Sequence, residues 1–518
     1  MGREAGGEPD RGAGGAAAAG AGGADGGAGT LRLGSARGRW VLACCVLASG
    51  MAMLDGTVVN IALPHIGAEL SAPLSVLQWI MNAYLLALAG LILLGGGLGD
   101  RYGRRRLLVT GTVWFAAASA LCALAPNAGV LVAARAGQGV GAALLTPGSL
   151  ALIQSAFHPD DRAKAVGAWS GLGGMATAVG PFLGGWLVDG PGWRWIFLIN
   201  VPLAAVVVAL AVLRVPESRD WRATGRFDAP GAALAALALA GITYALIAAS
   251  GSPSPMRVAL PAAAGVLLGA LFVLVERRGR HPMLPLSLFS SALFVRVNAV
   301  TLCLYAAIGG VFFLLPVALQ TGLGFSALGA GVATIPITVL MLTLSSPAGA
   351  LAGRIGPRLP LTAGPLLSAG GLVLLARVGA GSGYWTTVFP GVVVMGLGMS
   401  LFVAPLTATV LASVPVERSG IASGVNNAAA RAAQLLAVAA LPLATGLSGR
   451  AYASPDAVLR AFRESALICA GLMLAAALAA WTTVRADTLR PGPAGGEPAE
   501  PRCTRFGHPT APPLEPGS

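Results

Sequence analysis

Lysine is almost missing from this sequence. Of 34 basic residues only Lys164 is a lysine, and it follows an alanine. A phosphate-binding loop ends in Gly-Lys-Ser/Thr, so the chain cannot hydrolyse ATP through one. Histidine is as scarce: His65, His158, His281 and His508 are scattered along 518 residues. Cys44, Cys45, Cys122, Cys303 and Cys469 lie inside apolar runs, and Cys503 lies near the end. None of these has metal-ligand spacing or forms a disulfide framework, which speaks against a metal centre or an intramembrane enzyme. Charged residues make up only 11% of the chain, too few for a soluble surface.

Apolar residues fill that gap. They make up 55% of the chain, with a mean hydropathy of +0.75, which is the composition of a polytopic membrane protein. Runs long enough to span a bilayer fall at 40–63, 75–98, 107–125, 129–153, 165–188, 194–213, 230–249 and 258–275, then at 293–319, 328–352, 359–378, 386–411, 419–446 and 465–484. About fourteen spans put both ends of the chain on one side. With that side taken as cytoplasmic, 25 Lys/Arg face inward and 6 outward, Arg460 and Arg463 being among the six. This asymmetry accounts for the net charge of +13, so nucleic acid is not an expected partner. Residues 1–38 are Gly/Ala-rich without an apolar core and read as a disordered cytoplasmic tail; 485–518 read the same way.

Between the second and third runs lies 96–106, GGLGDRYGRRR. A shift of 253 residues maps Gly96, Leu98, Arg101, Gly103 and Arg105 onto Gly349, Leu351, Arg354, Gly356 and Arg358, whereas Asp100 maps onto Gly353. Both copies follow the second helix of a set of six. The expected architecture is therefore all-α: a six-helix half at 39–213, two additional spans at 214–280, and a second six-helix half at 281–484. Duplicated halves that rock about a central cavity are a common transporter design. Because one copy kept its acid, Asp100 is expected to make a contact between the halves.

Two charges sit where lipid should be. At 1.5 Å per residue, Asp55 lies about 24 Å from the inner surface, and Arg135 about 9 Å from the outer one. In a core of about 30 Å these depths nearly coincide. One reading is a static ion pair. The other is a carboxylate that carries a proton, with the arginine governing how tightly it is held. Arg431 stands near mid-depth in the thirteenth run without an acid at its level other than Asp55. It either bonds carbonyls, Asn426 or Asn427, or meets substrate. In the fifth run Gly167, Gly171, Ala176, Gly180 and Gly184 recur as a flat face for close helix packing, with Pro181 expected to kink it.

Four patches resemble the fourteen-span drug:proton antiporters of the major facilitator superfamily. They are Leu54, Asp55, Thr57, Asn60, Ala62, Leu63 and Pro64; Gly96 to Arg105; Arg135, Gln138, Gly139 and Gly141; and Gly180, Pro181, Gly184 and Gly185. The stretches Gln78, Trp79, Asn82, Tyr84, then WRWIFLINVP at 193–202 and FDAPG at 227–231, look alike too. The resemblance covers about residues 40–484. It implies a monomeric bacterial plasma-membrane exporter of small molecules, driven by the proton gradient without a cofactor. In such a protein Asp55 and Arg135 couple protons. Gly96, Asp100, Arg101, Gly103, Arg104 and Arg105 form a conformational loop, and Gly180, Pro181, Gly184 and Gly185 seal the exit. Gln78, Trp79, Asn82, Tyr84, Asn426 and Arg431 are the residues expected near substrate. Importers of the same fold generally lack the glycine–proline motif, and an importer or a metabolite exporter is the alternative. Arginine in place of lysine points to a GC-rich bacterial genome.

Overall fold

The computed structural model describes residues 31–219, 228–251, 254–279, 282–415, 418–485 and 488–489. Most of the two expected tails lies outside these residues. Fourteen helices in it are long and apolar enough to cross a membrane. They are α1 Ala36–Glu69, α2 Leu74–Tyr102, α3 Arg104–Ala123, α4 Ala128–Ala156, α5 Pro159–Asp189, α6 Trp195–Arg214, α7 Ala229–Ala249, α8 Pro255–Arg278, α9 Ala292–Gly322, α10 Ala327–Ile355, α11 Arg358–Leu375, α12 Tyr384–Ala412, α13 Ser419–Ala444 and α14 Pro455–Thr483.

The hydropathy runs and the helices agree closely, except at two places. The last helix starts at Pro455, ten residues before its apolar run. Ser454 caps it by accepting from the Ala457 N–H, and Pro455 occupies the first turn, where no donor is needed. Arg460 and Arg463, expected in a loop, are exposed on this helical extension. At the other end, α1 begins at Ala36, inside the expected tail. Leu31 exchanges backbone hydrogen bonds with Ala156 and His158 at 3.0 Å, and Arg32 pairs with Asp160 at 3.1 Å. The chain leading into α1 is thereby strapped to the connection between α4 and α5.

Helices α1–α6 and α9–α14 form the two halves, and α7 and α8 stand between them in sequence. The inserted pair packs through glycine: a Cβ on Gly241 would lie 3.0 Å from the Gly265 backbone. α7 packs against α2 and α13, one helix from each half. Its Tyr244 meets the Trp79 ring at 6.2 Å, and Ala236 fills the space beside Gly90.

Hydrogen bonds join the halves at the side of the bundle away from the chain ends, here the far side. Gln78 Nε2 of α2 donates to the Val438 carbonyl of α13 at 2.8 Å. Gln320 Nε2 of α9 donates to the Ile61 carbonyl of α1 at 2.9 Å. Asp189, the last residue of α5, accepts from the Ala327 and Leu328 N–H groups at 3.1 and 2.8 Å. A carboxylate suits this position because the first N–H groups of α10 have no partner within their own helix. Both α5 and α10 carry exposed apolar residues toward either side, Leu172, Met175 and Trp186 on α5 and Val332, Val339 and Leu351 on α10.

Candidate functional site

Asp55 and Arg135 are both fully shielded from solvent, and Arg135 Nη1 donates to Asp55 Oδ2 at 2.5 Å. Helix geometry brings them together. α1 runs toward the far side and α4 runs back from it, so residues distant in sequence meet at one level. The depth arithmetic from sequence placed them at similar heights, and the structure supplies the direct contact.

A buried ion pair is supported by hydrogen bonds that use its remaining capacity, and here every polar atom of the two side chains except Arg135 Nη2 has such a partner. Arg135 Nη1 also donates to Gln138 Oε1 at 2.6 Å, and Nε donates to the Ile80 carbonyl at 3.1 Å. The other side of the guanidinium has rings: Tyr84 is 4.4 Å from its carbon and Phe197 5.8 Å, a cation–π arrangement. Asp55 Oδ1 accepts from Gln138 Nε2 at 2.7 Å and from Asn200 Nδ2 at 3.3 Å. Ser119 Oγ closes the network by accepting from both amides, at 2.8 and 3.4 Å. Four buried polar side chains from α3, α4 and α6 therefore surround the one carboxylate of α1.

Gln138 belongs to a motif visible in the sequence. Ser119 and Asn200 were missed as site residues, although Asn200 lies in the WRWIFLINVP stretch. That stretch makes three contacts in turn. Trp193 Nε1 donates to Glu69 Oε2 at 2.6 Å, beside an Arg194–Glu69 ion pair. One turn on, Phe197 supplies the ring over Arg135. Asn200 then reaches Asp55. Tyr84 also belongs to this cluster, its hydroxyl donating to the Ala52 carbonyl at 3.1 Å.

The glycines of α4 and α5 make this packing possible. A Cβ on Gly139 would lie 2.5 Å from the Tyr84 carbonyl, and one on Gly141 2.8 Å from Phe115 Cα. On α5, a Cβ on Gly180 would strike Thr57, and one on Gly184 would come 3.0 Å from Val58. Gly185 faces the other half: its Cβ would be 2.5 Å from the Ala327 carbonyl and from Leu328 Cα. Gly331 of α10 abuts the Pro181 carbonyl in return. The flat face is shorter than its spacing implied. Gly167 and Gly171 have open space where a Cβ would be, so only the far half of the stripe is a packing surface. Helix α5 continues through Pro181 to Asp189.

The 96–106 loop turns on Gly103, which caps α2 at φ 108; glycine adopts this conformation without the Cβ penalty. Gly356 does the same for α10 at φ 90. Asp100 does not do what was expected of it. Its Oδ1 accepts from Arg104 Nε and Nη2 at 2.9 and 2.7 Å, four residues along its own loop, so the contact is local and does not join the halves. A residue not foreseen, Glu217 after α6, holds the loop instead. It accepts from the Arg105 backbone N–H at 3.1 Å and pairs with the Arg105 and Arg106 side chains at 3.7 and 3.8 Å. Gly96 packs toward Pro147 of α4, and Arg101 lies over the Tyr102 ring.

The residues expected near substrate do not gather in one place. Gln78 joins the halves on the far side. Trp79 packs on the inserted α7. Asn82 is buried with both amide atoms unpartnered. Asn426 Nδ2 donates to Asn298 Oδ1 and Thr301 Oγ1 of α9 at 3.1 and 2.7 Å. It is therefore not the partner of Arg431, nor is Asn427, whose amide donates to the Ser423 carbonyl. Arg431 donates to Gln434 Oε1 at 3.1 Å.

The profile of the Major Facilitator Superfamily matches residues 45–297 and 297–514. The chain is 38% identical over 432 residues to a probable actinorhodin transporter of Streptomyces coelicolor, covering 81% of this chain and 75% of the relative. It is 35% identical over 482 residues to the puromycin resistance protein pur8 of Streptomyces alboniger, covering 89% and 95%. The multidrug resistance protein Stp of Mycobacterium tuberculosis is 36% identical over 381 residues, covering 73% and 70%. Among solved structures, the fold resembles a bacterial homolog of the human lysosomal transporter Spinster, inward-facing and unoccupied. That match has a TM-score of 0.61 at 16% identity, covering 89% of this chain and 100% of that one. The inward-open xylose transporter XylE from E. coli gives a TM-score of 0.58 at 18% identity, covering 86% and 96%.

Proposed function

The chain belongs to the Major Facilitator Superfamily, and on that premise we propose that it exports small amphipathic molecules, antibiotics or other toxic compounds, in exchange for protons. Membership makes it a transporter and not an enzyme, and the relatives above are antibiotic and multidrug resistance proteins. The side carrying both chain ends is the cytoplasmic face of a bacterial plasma membrane, in keeping with the 25-to-6 distribution of Lys/Arg.

One observation carries the proton-coupling part of the proposal: the wholly buried Asp55 carboxylate, held by Arg135, Gln138 and Asn200. A carboxylate at this depth depends on such partners, because a buried charge without them is costly. Its network is assembled from four helices, so any movement of α1 against α4 or α6 changes the partners and hence the proton occupancy. The close glycine contacts of α5 with α1 and α10 lie on the far side, beyond Asp55, where an exit gate would close. Proton release toward the cytoplasm and substrate release outward then use the same rocking motion in opposite phases.

Inverted membrane vesicles with an imposed acid interior test the reading. The expected outcome is accumulation of ethidium, or of another amphipathic drug, that collapses when a protonophore dissipates the gradient. Accumulation indifferent to the gradient would remove the antiport mechanism, and no accumulation from a broad drug panel would favour an importer.

A further inference from the structure

We propose that Arg431 binds the anionic end of an amphipathic substrate, and that this chain therefore prefers organic carboxylates or phenolates to organic cations; the proposal rests on the efflux reading for the direction of transport.

Three charged groups define the middle of the bundle. Asp55 and Arg135 are buried without solvent exposure and neutralise each other. Arg431 is the third, near the centre of α13 and only half-buried. Its one side-chain hydrogen bond goes to Gln434 Oε1, a neutral acceptor one turn along the same helix, and no described carboxylate pairs with it. Arg431 stands on α13, which packs against α2 of the N-terminal half and α9 of its own half. A guanidinium at mid-membrane is ordinarily neutralised or faces a polar cavity. Here it is not neutralised.

The neighbouring amides point the same way. On α2, Asn82 lies one turn from Gln78, which bonds α13 directly. Asn82 is fully buried, yet neither atom of its amide has a hydrogen-bond partner. Buried polar groups are almost always satisfied, so an unpartnered amide on the face toward α13 marks a place for a ligand's polar atoms. Gln434 itself is held close to α9, because a Cβ on Gly309 would lie 2.8 Å from the Gln434 Cα. The cationic side chain is thus mounted on a rigid contact.

Selectivity follows from the charge balance. A cationic substrate entering this space would meet the unneutralised Arg431, while the one carboxylate at comparable depth is sealed behind Arg135 and two amides. In a poorly screened interior both the attraction for anions and the repulsion of cations are stronger than in water. Exporting an anion also moves charge in the same electrical sense as importing a proton, so an inside-negative potential drives both steps.

The test measures binding without any gradient, using the purified full chain in nanodiscs and three fluorescent probes: a coumarin monocarboxylate, its neutral ethyl ester and ethidium. The carboxylate is expected to bind at least about ten-fold more tightly than its ester, a difference that Arg431→Gln reduces to less than about three-fold and Arg431→Lys retains. Wild-type protein that binds the ester or ethidium as tightly as the carboxylate would overturn the proposal, as would an Arg431→Gln variant that keeps the preference. Should Arg431→Gln fail to fold, the wild-type comparison and Arg431→Lys still decide. The two readings fail separately. Gradient-driven loading of ethidium without carboxylate preference leaves efflux standing and removes the anion site. Carboxylate binding without gradient-driven transport does the reverse.

Discussion

The two six-helix halves descend from one plan, and they differ chiefly in where acids remain. In both, the residue after the second helix is a glycine at positive φ, Gly103 or Gly356. In both, the equivalent arginine bonds a carbonyl near the end of the half's sixth helix. Arg105 Nη1 reaches Val215 at 3.2 Å, and Arg358 Nε reaches Trp481 at 2.9 Å. The N-terminal copy adds Asp100 and Glu217, while Arg358 of the other copy lies over the Trp481 ring, 3.9 Å from its centroid, and Gly353 faces open space. The interiors repeat the difference. The N-terminal half buries an acid among arginine and amides, whereas at the Asn426 cluster the C-terminal half uses amide and hydroxyl bonds and leaves Arg431 without an acid. The two halves share backbone geometry at these turns and differ in their titratable groups.

The comparison breaks most sharply at Arg135. Arg135→Leu leaves Asp55 buried without its countercharge, which costs about 3–5 kcal/mol. The expected result is a large fall in thermal stability and in yield of folded protein, whereas Arg358→Leu, at a half-buried site with no acid to strand, should change stability much less. Equal effects would mean that the buried pair has no special standing.

Next in size come the loops. Asp100→Ala is expected to slow transport several-fold at normal expression, because it frees Arg104 beside the Glu217 contact; Gly353→Asp should be milder. Glu217→Gln should resemble Asp100→Ala. Transport that tolerates all three changes equally would reduce the loop to a simple turn. On the far side, Gly185→Leu would drive a side chain into Ala327 and Leu328. It should hold the halves apart there and raise labelling of a cysteine introduced nearby from outside the cell. Unchanged labelling would mean that the seam does not gate.

The smallest effect is expected at Asn200, whose single hydrogen bond to Asp55 is worth about 0.5–1.5 kcal/mol. Asn200→Leu should slow proton-driven transport a few-fold and leave gradient-free exchange intact, while Asn426→Leu should affect both alike. Reversal of that pattern would shift proton coupling to the C-terminal half.

What could be read in advance depended on the kind of force involved. Hydropathy located all fourteen helices because lipid demands about twenty apolar residues whatever the tertiary contacts. It failed at Pro455–Thr483, where the extension beyond the apolar run carries Arg460 and Arg463 on an exposed face. Asp55 and Arg135 were legible because charge in an apolar run is expensive and depth follows from helical rise. Ser119 and Asn200 were not: a hydroxyl or an amide in a span is common, and its partner depends on how helices are rotated. Glu217 carries no signal in the sequence, because its role depends on the fold bringing the end of α6 beside the turn after α2. Trp79 sits in a motif with Tyr84, but five residues turn a helix by about 500°, or 140° beyond a whole turn, so one ring faces Arg135 and the other faces α7.

The central claim is that Asp55 carries the transported proton. The direct measurement compares wild type with Asp55→Asn in reconstituted vesicles, scoring acid-interior-driven drug uptake and gradient-free drug exchange in the same preparation. Asparagine keeps an acceptor for Arg135 but cannot cycle a proton. The account predicts that driven uptake falls to background while exchange continues. Driven uptake that survives in Asp55→Asn would contradict it.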